Sequence, residues 1–170
     1  TLRSSGPRGR ITAVSRHGLA PLSHGPCSAP LVLPDVPLGQ PVSQTMRWVR
    51  DLAAQVTDWR IVVDALRPHT QTVWESWSLL EQQRFLRHAR RHWDVHRHRI
   101  APDIGSRLDA EIREGSLRIA RCREQKAEDA FDCRGHLPDW SAIENPLLAS
   151  LLEQGTVRPD ALGIGLDVAH

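Results

Sequence analysis

Six prolines between residues 21 and 41 constrain the fold of this 170-residue chain more than any other local feature. Each proline lacks a backbone N–H and restricts the residue before it, so neither a helix nor a central strand can run through this stretch. The segment is therefore predicted to be an irregular connection. Its role is either a surface linker or a loop that covers a ligand. The prolines are Pro21, Pro26, Pro30, Pro34, Pro37 and Pro41.

The sequence differs in character on the two sides of this connection. Residues 10–15 form a short β-branched run that predicts a buried strand, and Arg16, His17 and Gly18 end it. Residues 43–115 have the apolar spacing of amphipathic helices, whereas residues 117–122 alternate like a strand. Further strand and helix candidates follow at residues 130–133 and 145–154, and a glycine-containing loop follows at residues 163–165. Strands separated by so much helix predict an α/β sheet with a mostly helical insertion.

Helix boundaries are predicted from capping residues. Ser43, Asp58 and Ser78 each precede an apolar helical pattern, and Glu81 stands where a capping box with Ser78 needs it. Proline in a first turn and glycine after a last turn mark two more helices. These signals are Pro102 with Gly115 and Pro146 with Gly155, and a short helix is predicted within residues 69–77.

Composition excludes several classes of protein. The net charge of +2 does not fit a polybasic nucleic-acid binder, and no stretch of about 18 apolar residues could span a membrane. Three cysteines without a CxxC pair, and no signal peptide, favour a reducing cytoplasm and no zinc site. The chain begins with Thr1 rather than methionine, so we expect it to be a segment of a larger protein.

Arginine is the unusual feature of the composition. All 22 basic residues except Lys126 are arginines, and arginine forks bind phosphates and carboxylates well. Residues 84–99 hold six of these arginines and four histidines. Two interpretations stay open for this stretch: a solvated basic helix face, or a pocket for an anion. His88 and His92 have the spacing of half a zinc site but lack the glutamate of HExxH, so no metal is predicted.

Six tryptophans add a second compositional signal, and five of them lie within the helical block. Tryptophan brings a large apolar area with one N–H donor, so most of them are expected in the core of the insertion. One or two could instead stack on a flat ligand, and the pattern alone does not choose which.

Several motifs together resemble a family of bacterial FAD/NAD(P)-binding proteins, which are uncharacterised flavoprotein-like oxidoreductases distantly similar to N-hydroxylating monooxygenases. The resemblance follows the order of the family's motifs over most of the chain. The motifs are residues 9–21 with His24, residues 85–88, 93–102, 145–148 and 155–168. The chain departs from the family in lacking both glycine fingerprints, which would precede Thr1, and in having Asp132-Cys133-Arg134-Gly135-His136 where the family commonly has Asn-Cys-Thr-Gly-Pro.

The resemblance implies a partial Rossmann-like sheet and a division into three parts. Residues 1–42 would be part of an NAD(P)-binding subdomain plus the proline-rich connection, residues 43–115 the helical insertion, and residues 116–170 the return to the α/β core. FAD and NADP(H) are the implied cofactors. Because the first strand ends in Ser15, Arg16 and His17 with no acidic residue, NADPH is predicted over NADH, with Ser15 and Arg16 on its 2′-phosphate.

The implied function is part of a flavin-dependent, NAD(P)H-using oxidoreductase that is inactive as a fragment. Within the central motif, His96, Arg97, His98 and Arg99 are predicted to line a functional pocket, although capping and salt bridging would explain them equally well. Two alternatives are a non-catalytic module whose basic helical block engages an anionic partner, and an inactive truncated copy. Substrate, catalytic residues and oligomeric state are not predicted by these motifs.

Overall fold

The computed structural model describes residues 9–26, 30–121, 131, 133, 143 and 145–167. In chain order the elements are β1 Ile11–Ser15, α1 Val42–Ala54, α2 Arg60–Leu66, a 3-10 turn Arg67–His69, α3 Thr70–Ser76, α4 Leu79–Arg84, a π-helical turn Phe85–Ala89, α5 Arg90–Arg97, α6 Pro102–Arg113, β2 Leu117–Arg121, α7 Pro146–Glu153, β3 Arg158–Pro159 and β4 Leu166–Asp167. The described residues therefore form a mixed α/β structure dominated by helices. None of their helices has the length and apolar character needed to cross a membrane.

β1 and β2 pair in parallel although about 100 residues of sequence separate them. The register runs from Ile11 opposite Leu117 to Ser15 opposite Arg121. A parallel pair needs a long crossover connection, which the helical block supplies here. The predicted strand at residues 130–133 is not described as a strand: Phe131 and Cys133 have no regular structure, and its other two residues lie outside the described residues.

β1 is not the buried strand that its β-branched sequence predicts. Ala13, Val14 and Ser15 are exposed, with 47% of Val14 accessible, whereas Ala120 of β2 is buried. α6 packs against β2, but β2 is the single strand paired with β1 in the described residues. The prediction that β1 is buried was wrong. A β-branched sequence favours a strand, but it does not determine whether another element packs on that strand.

Local capping signals predict the start of α4 and both ends of α6 and α7. The Ser78 hydroxyl accepts from the Glu81 N–H at 3.4 Å, which is half of the predicted capping box. The other half is not seen, because the Glu81 carboxylate accepts from the Val42 N–H and from Arg84.

The Asn145 side chain caps α7. Pro102 opens α6, and Gly115 and Gly155 follow their helices at φ +73° and +68°, which glycine adopts without strain.

Two predicted caps were wrong in detail. α1 begins at Val42 with Pro41 as its N-cap, so Ser43 lies inside the helix. The Val42 N–H is instead satisfied from a distance, since the Glu81 carboxylate accepts it at 2.8 Å. The N-cap position of α2 is Trp59 rather than Asp58, although the Asp58 carboxylate does accept from the Arg60 N–H at 3.0 Å.

The helical core forms around Val42, Val73 and Trp77. Trp74 and Phe85 pack against these three residues from the half-buried zone. Of the tryptophans that the structure describes, Trp77 alone is buried; the others are half-buried, so the expectation that most would be core was too strong. A ring with a polar N–H is commonly held at such a boundary between core and solvent.

The described residues of the proline-rich segment, 21–26 and 30–41, are irregular as predicted, but Ser23 is held by backbone hydrogen bonds. Ser23 forms an isolated parallel bridge with Ile100. In this bridge the His24 N–H donates to the Ile100 carbonyl at 2.9 Å, and the Ile100 N–H donates to the Leu22 carbonyl at 2.9 Å. Ser23 also lies directly against Gly105 of α6, where a Cβ atom would come within 1.7 Å of its hydroxyl oxygen. The attachment explains why glycine occupies the interior of that helix.

Candidate functional site

The carboxyl end of β1 turns sharply and presents a cationic segment. The Ser15 hydroxyl accepts a hydrogen bond from the Gly18 N–H at 2.9 Å. Gly18 has a φ of +64°, which β-carbon-bearing residues rarely adopt. This turn places Arg16 and half-buried His17 directly beyond the strand.

β2 brings a second cation to the same edge. Arg121 ends β2 opposite Ser15, and its Nε donates to the His17 carbonyl at 3.3 Å. A Cβ on Gly18 would lie 3.2 Å from Cγ of Arg121, so the absence of a side chain at residue 18 lets the two strand ends come together. The two strand ends are therefore joined by the Arg121 side chain and the His17 backbone as well as by the strand pairing.

α5 contributes the third part of this site. Partial burial and the nearby charges of Arg91, Arg16, Arg121 and His92 lower the pKa of His17. Arg91 in turn donates from Nε to Nε2 of His92 at 3.1 Å. We call Arg16, His17, Arg91, His92 and Arg121 the strand-edge cluster. Among the described residues, no carboxylate lies within salt-bridge distance of its three arginines.

The position and chemistry of the strand-edge cluster suit an anion. In open α/β sheets, ligands bind beyond the carboxyl ends of parallel strands. Guanidinium groups form short, charge-assisted hydrogen bonds to phosphate oxygens, often two at a time. A bound anion would also relieve the repulsion that lowers the pKa of His17. The cluster can therefore bind and orient a phosphate, and it contains no nucleophile or carboxylate base.

The His96–Arg99 motif is divided between two surroundings. His96 packs edge-on against Trp59, with 4.7 Å between ring centroids, and the Arg99 guanidinium lies 5.9 Å from the same ring. Arg60 lies over that ring at 4.7 Å. Arg97 is half-buried and His98 exposed, and neither lines the large cleft described below.

Arg99 lines an open cleft of about 1250 Å³ between the proline-rich segment and α2. Its side chain is only 3% exposed and forms an ion pair with Asp64 through Nη2. Its Nε has no hydrogen-bond partner among the described residues. Arg60 and Asp58 on the cleft wall form a second ion pair at 3.1 Å. Asp35, His24 and His69 also line the cleft, so its described wall carries three carboxylates and two guanidinium groups and is not a cationic site.

Sequence reasoning singled out residues 15–17 but not their partners. Arg91 was one of six arginines in a basic stretch, and nothing in its local pattern distinguished it from Arg87 or Arg90. Arg121 occupied an ordinary place at the end of a predicted strand. The usable signal was that an arginine adjoins the end of each predicted strand, Arg16 just after residues 10–15 and Arg121 just before the last residue of 117–122, since parallel strands present their carboxyl ends at one edge.

Comparison with protein-family models, curated proteins and solved structures finds no match to this chain. Within the part of the chain that the structure describes, no group of three or more His, Cys, Asp or Glu residues is arranged to hold a metal ion.

Proposed function

We propose that this chain is part of a flavin-dependent, NADPH-using oxidoreductase in which the strand-edge cluster binds the 2′-phosphate of NADPH. The observation that carries the proposal is that Arg16 and Arg121 lie at the carboxyl ends of two parallel strands, and that Arg91 is near enough to lower the pKa of His17. No carboxylate of the described residues lies within salt-bridge distance of these three arginines. A Rossmann-like sheet requires such a parallel pair, and an arginine in place of an acid at the strand end accommodates a 2′-phosphate.

The residues fit the two proposed cofactors unequally. The strand-edge cluster supplies the cations that an NADPH phosphate needs. For FAD, the chain contains no GxGxxG loop to hold a pyrophosphate, so no flavin site is assigned to it. In the proposed enzyme the flavin is held elsewhere and supplies the redox chemistry. The residues of this chain bind and orient the nucleotide.

Calorimetric titration of the 170-residue chain with adenosine 2′,5′-bisphosphate and with 5′-AMP tests the proposal. Because the two ligands differ by the 2′-phosphate, we expect the bisphosphate to bind at least about tenfold more tightly, as for one or more charge-assisted hydrogen bonds. Arg16→Ala should remove most of that preference. Arg47→Ala, an exposed arginine on α1, is the matched control and should preserve it.

Equal bisphosphate affinity in the wild type and Arg16→Ala would refute the 2′-phosphate assignment. The non-catalytic alternative, in which basic residues engage an anionic macromolecule, predicts something different. A DNA or RNA duplex would then bind more tightly than the bisphosphate, with an affinity that falls steeply as salt rises. Loss of that binding in Arg87→Ala as well as Arg91→Ala would favour this second function.

A further inference from the structure

The two histidines of the strand-edge cluster differ in how their rings are bound. Nε2 of His92 accepts a hydrogen bond from Nε of Arg91 at 3.1 Å, so a proton on that nitrogen would break the bond. No hydrogen bond joins the His17 ring to another of the described residues. His17 is half-buried, so solvent can deliver a proton to it. It is therefore the histidine of the cluster that is free to change its charge.

The backbone holds His17 at the carboxyl ends of β1 and β2. The Ser15 hydroxyl accepts from the Gly18 N–H at 2.9 Å, which closes the turn in which His17 lies. Nε of Arg121 donates to the His17 carbonyl at 3.3 Å, and the strand register places Arg121 opposite Ser15. His17 cannot leave the cluster without breaking these contacts.

The charged and titratable groups that act on His17 among the described residues are all bases. Arg16 follows β1, Arg121 ends β2, and Arg91 and His92 belong to α5. Partial burial and the charges of these groups lower the pKa of His17. Three guanidinium groups thus repel a proton on the ring, and an anion placed among them would offset that repulsion.

We infer that His17 takes up a proton from solvent when a dianionic phosphate group binds at the strand-edge cluster, and that the protonated ring then donates to the anion. The inference rests on the proposed anion site and adds a proton-linked affinity to it. Because the anion strengthens proton binding, the proton must strengthen anion binding by the same factor. The affinity should therefore rise as the pH falls, as long as the anion keeps both of its charges.

Sulfate is the probe for this linkage. It stays a dianion in the pH range in which histidine titrates, whereas a phosphate monoester itself gains a proton at about pH 6. Amide chemical shifts of residues 16–18 in the 170-residue chain report sulfate binding at the cluster. We expect sulfate to bind about tenfold more tightly at about pH 5.5 than at about pH 8, the gain from one charge-assisted hydrogen bond.

Nuclear magnetic resonance of the histidine rings measures the proton directly. The pKa of His17 should be higher in sulfate than in chloride at equal ionic strength. His69, an exposed histidine outside the cluster, is the internal control and should titrate alike in the two salts. Arg91→Ala removes one repelling charge, so it should raise the pKa of His17 in chloride and reduce the difference between the salts.

His17→Gln keeps a polar side chain but cannot be protonated, so its affinity for sulfate should lose most of the pH dependence. An unchanged His17 titration while sulfate binds would overturn the inference and leave the anion site intact, as would a pH dependence that survives in His17→Gln. If neither sulfate nor adenosine 2′,5′-bisphosphate binds at the cluster, the proposed function fails together with the inference. If His17→Gln does not fold, the wild-type titrations in the two salts decide the question.

Discussion

Two groups of arginines in this protein are treated in opposite ways by the fold. Around the large cleft and the start of α4 they are paired: Arg60 with Asp58, Arg84 with Glu81, and Arg99 with Asp64. At the strand edge, Arg16, Arg91 and Arg121 converge without a carboxylate among the described residues. A net charge of +2 for the whole chain does not reveal this division.

The difference separates cations that stabilise the fold from cations that are available to a ligand. A buried arginine needs its carboxylate, since an unpaired charge in a low-dielectric interior is strongly unfavourable. Exposed arginines near one another repel and are tolerated at a modest cost, which a bound anion can offset. The comparison therefore makes predictions about stability for one group and about binding for the other.

The largest expected effect is on the paired group. Asp64→Ala leaves the Arg99 cation almost fully buried without its carboxylate. About half of the Asp64 side chain is exposed, so water can partly replace its carboxylate beside Arg99. We therefore expect the free energy of unfolding to fall by about 2 kcal/mol, which is below the usual range for a fully buried pair. Urea unfolding measures it. Asp51→Ala, an exposed aspartate on α1, is the control and should stay within about 0.5 kcal/mol of wild type.

The unpaired group should behave in the opposite way in the same measurement. Arg16→Ala and Arg91→Ala should change the free energy of unfolding by less than about 0.5 kcal/mol, because neither removes an ion pair of the described residues. A loss for these variants equal to that of Asp64→Ala would show that the two groups are not distinct.

A smaller effect is expected where the proline-rich segment attaches beside the paired region. Gly105→Ala brings a Cβ within 1.7 Å of the Ser23 hydroxyl oxygen and 3.0 Å of its Cβ. The serine must move, at a cost of about 1 kcal/mol in thermal or urea unfolding. Ser23→Gly should restore the stability of Gly105→Ala. Gly9→Ala, with nothing within 4 Å of the new methyl group, should cost little; a similar loss there would argue against the contact.

The smallest effect concerns how the two regions respond to acid. Partial burial and the cations of the strand-edge cluster lower the pKa of His17 below 6.5, so its contribution to stability is complete above pH 6.5 and is lost as the pH falls toward the folded pKa. Hydrogen bonds from the Val42 N–H and Arg84 lower the pKa of Glu81 below 4.5, so its contribution is complete above pH 4.5 and is lost as the pH falls through the folded value.

Two variants distinguish the pH range in which His17 acts from the range in which Glu81 acts. The measurement is the free energy of unfolding at a series of pH values. His17→Gln should flatten the decline that starts at pH 6.5 and leave the acid limb unchanged. Glu81→Gln should lower stability above pH 4.5 and flatten the decline below it. If both variants changed the same limb, the stability of the two regions would not depend on separate groups.

Much of the helical architecture was predictable because its signals are local. Ser78, Pro102, Gly115 and Asn145 act on backbone groups within a few residues, so their effects can be predicted without knowing the tertiary structure. The predicted Ser43 cap was wrong because the start of α1 is satisfied by a distant residue rather than by a neighbour. The partner that satisfies the α1 N-terminus is Glu81, 39 residues away, and no local pattern indicates it.

The sequence by itself determined both ends of α6 and α7, the start of α4, the positions of β1 and β2, the irregular course of the described part of the proline-rich segment, and the absence of an acid beside the end of the first strand. Only the tertiary structure decided that Arg121, 104 residues from His17, lies against it, and that Arg99 is buried on Asp64. It also decided that the Trp77 N–H is buried without a hydrogen-bond partner in the described part of the chain. The physical reason is that caps and turns are satisfied within a few residues, whereas charge clusters and clefts form where distant segments pack.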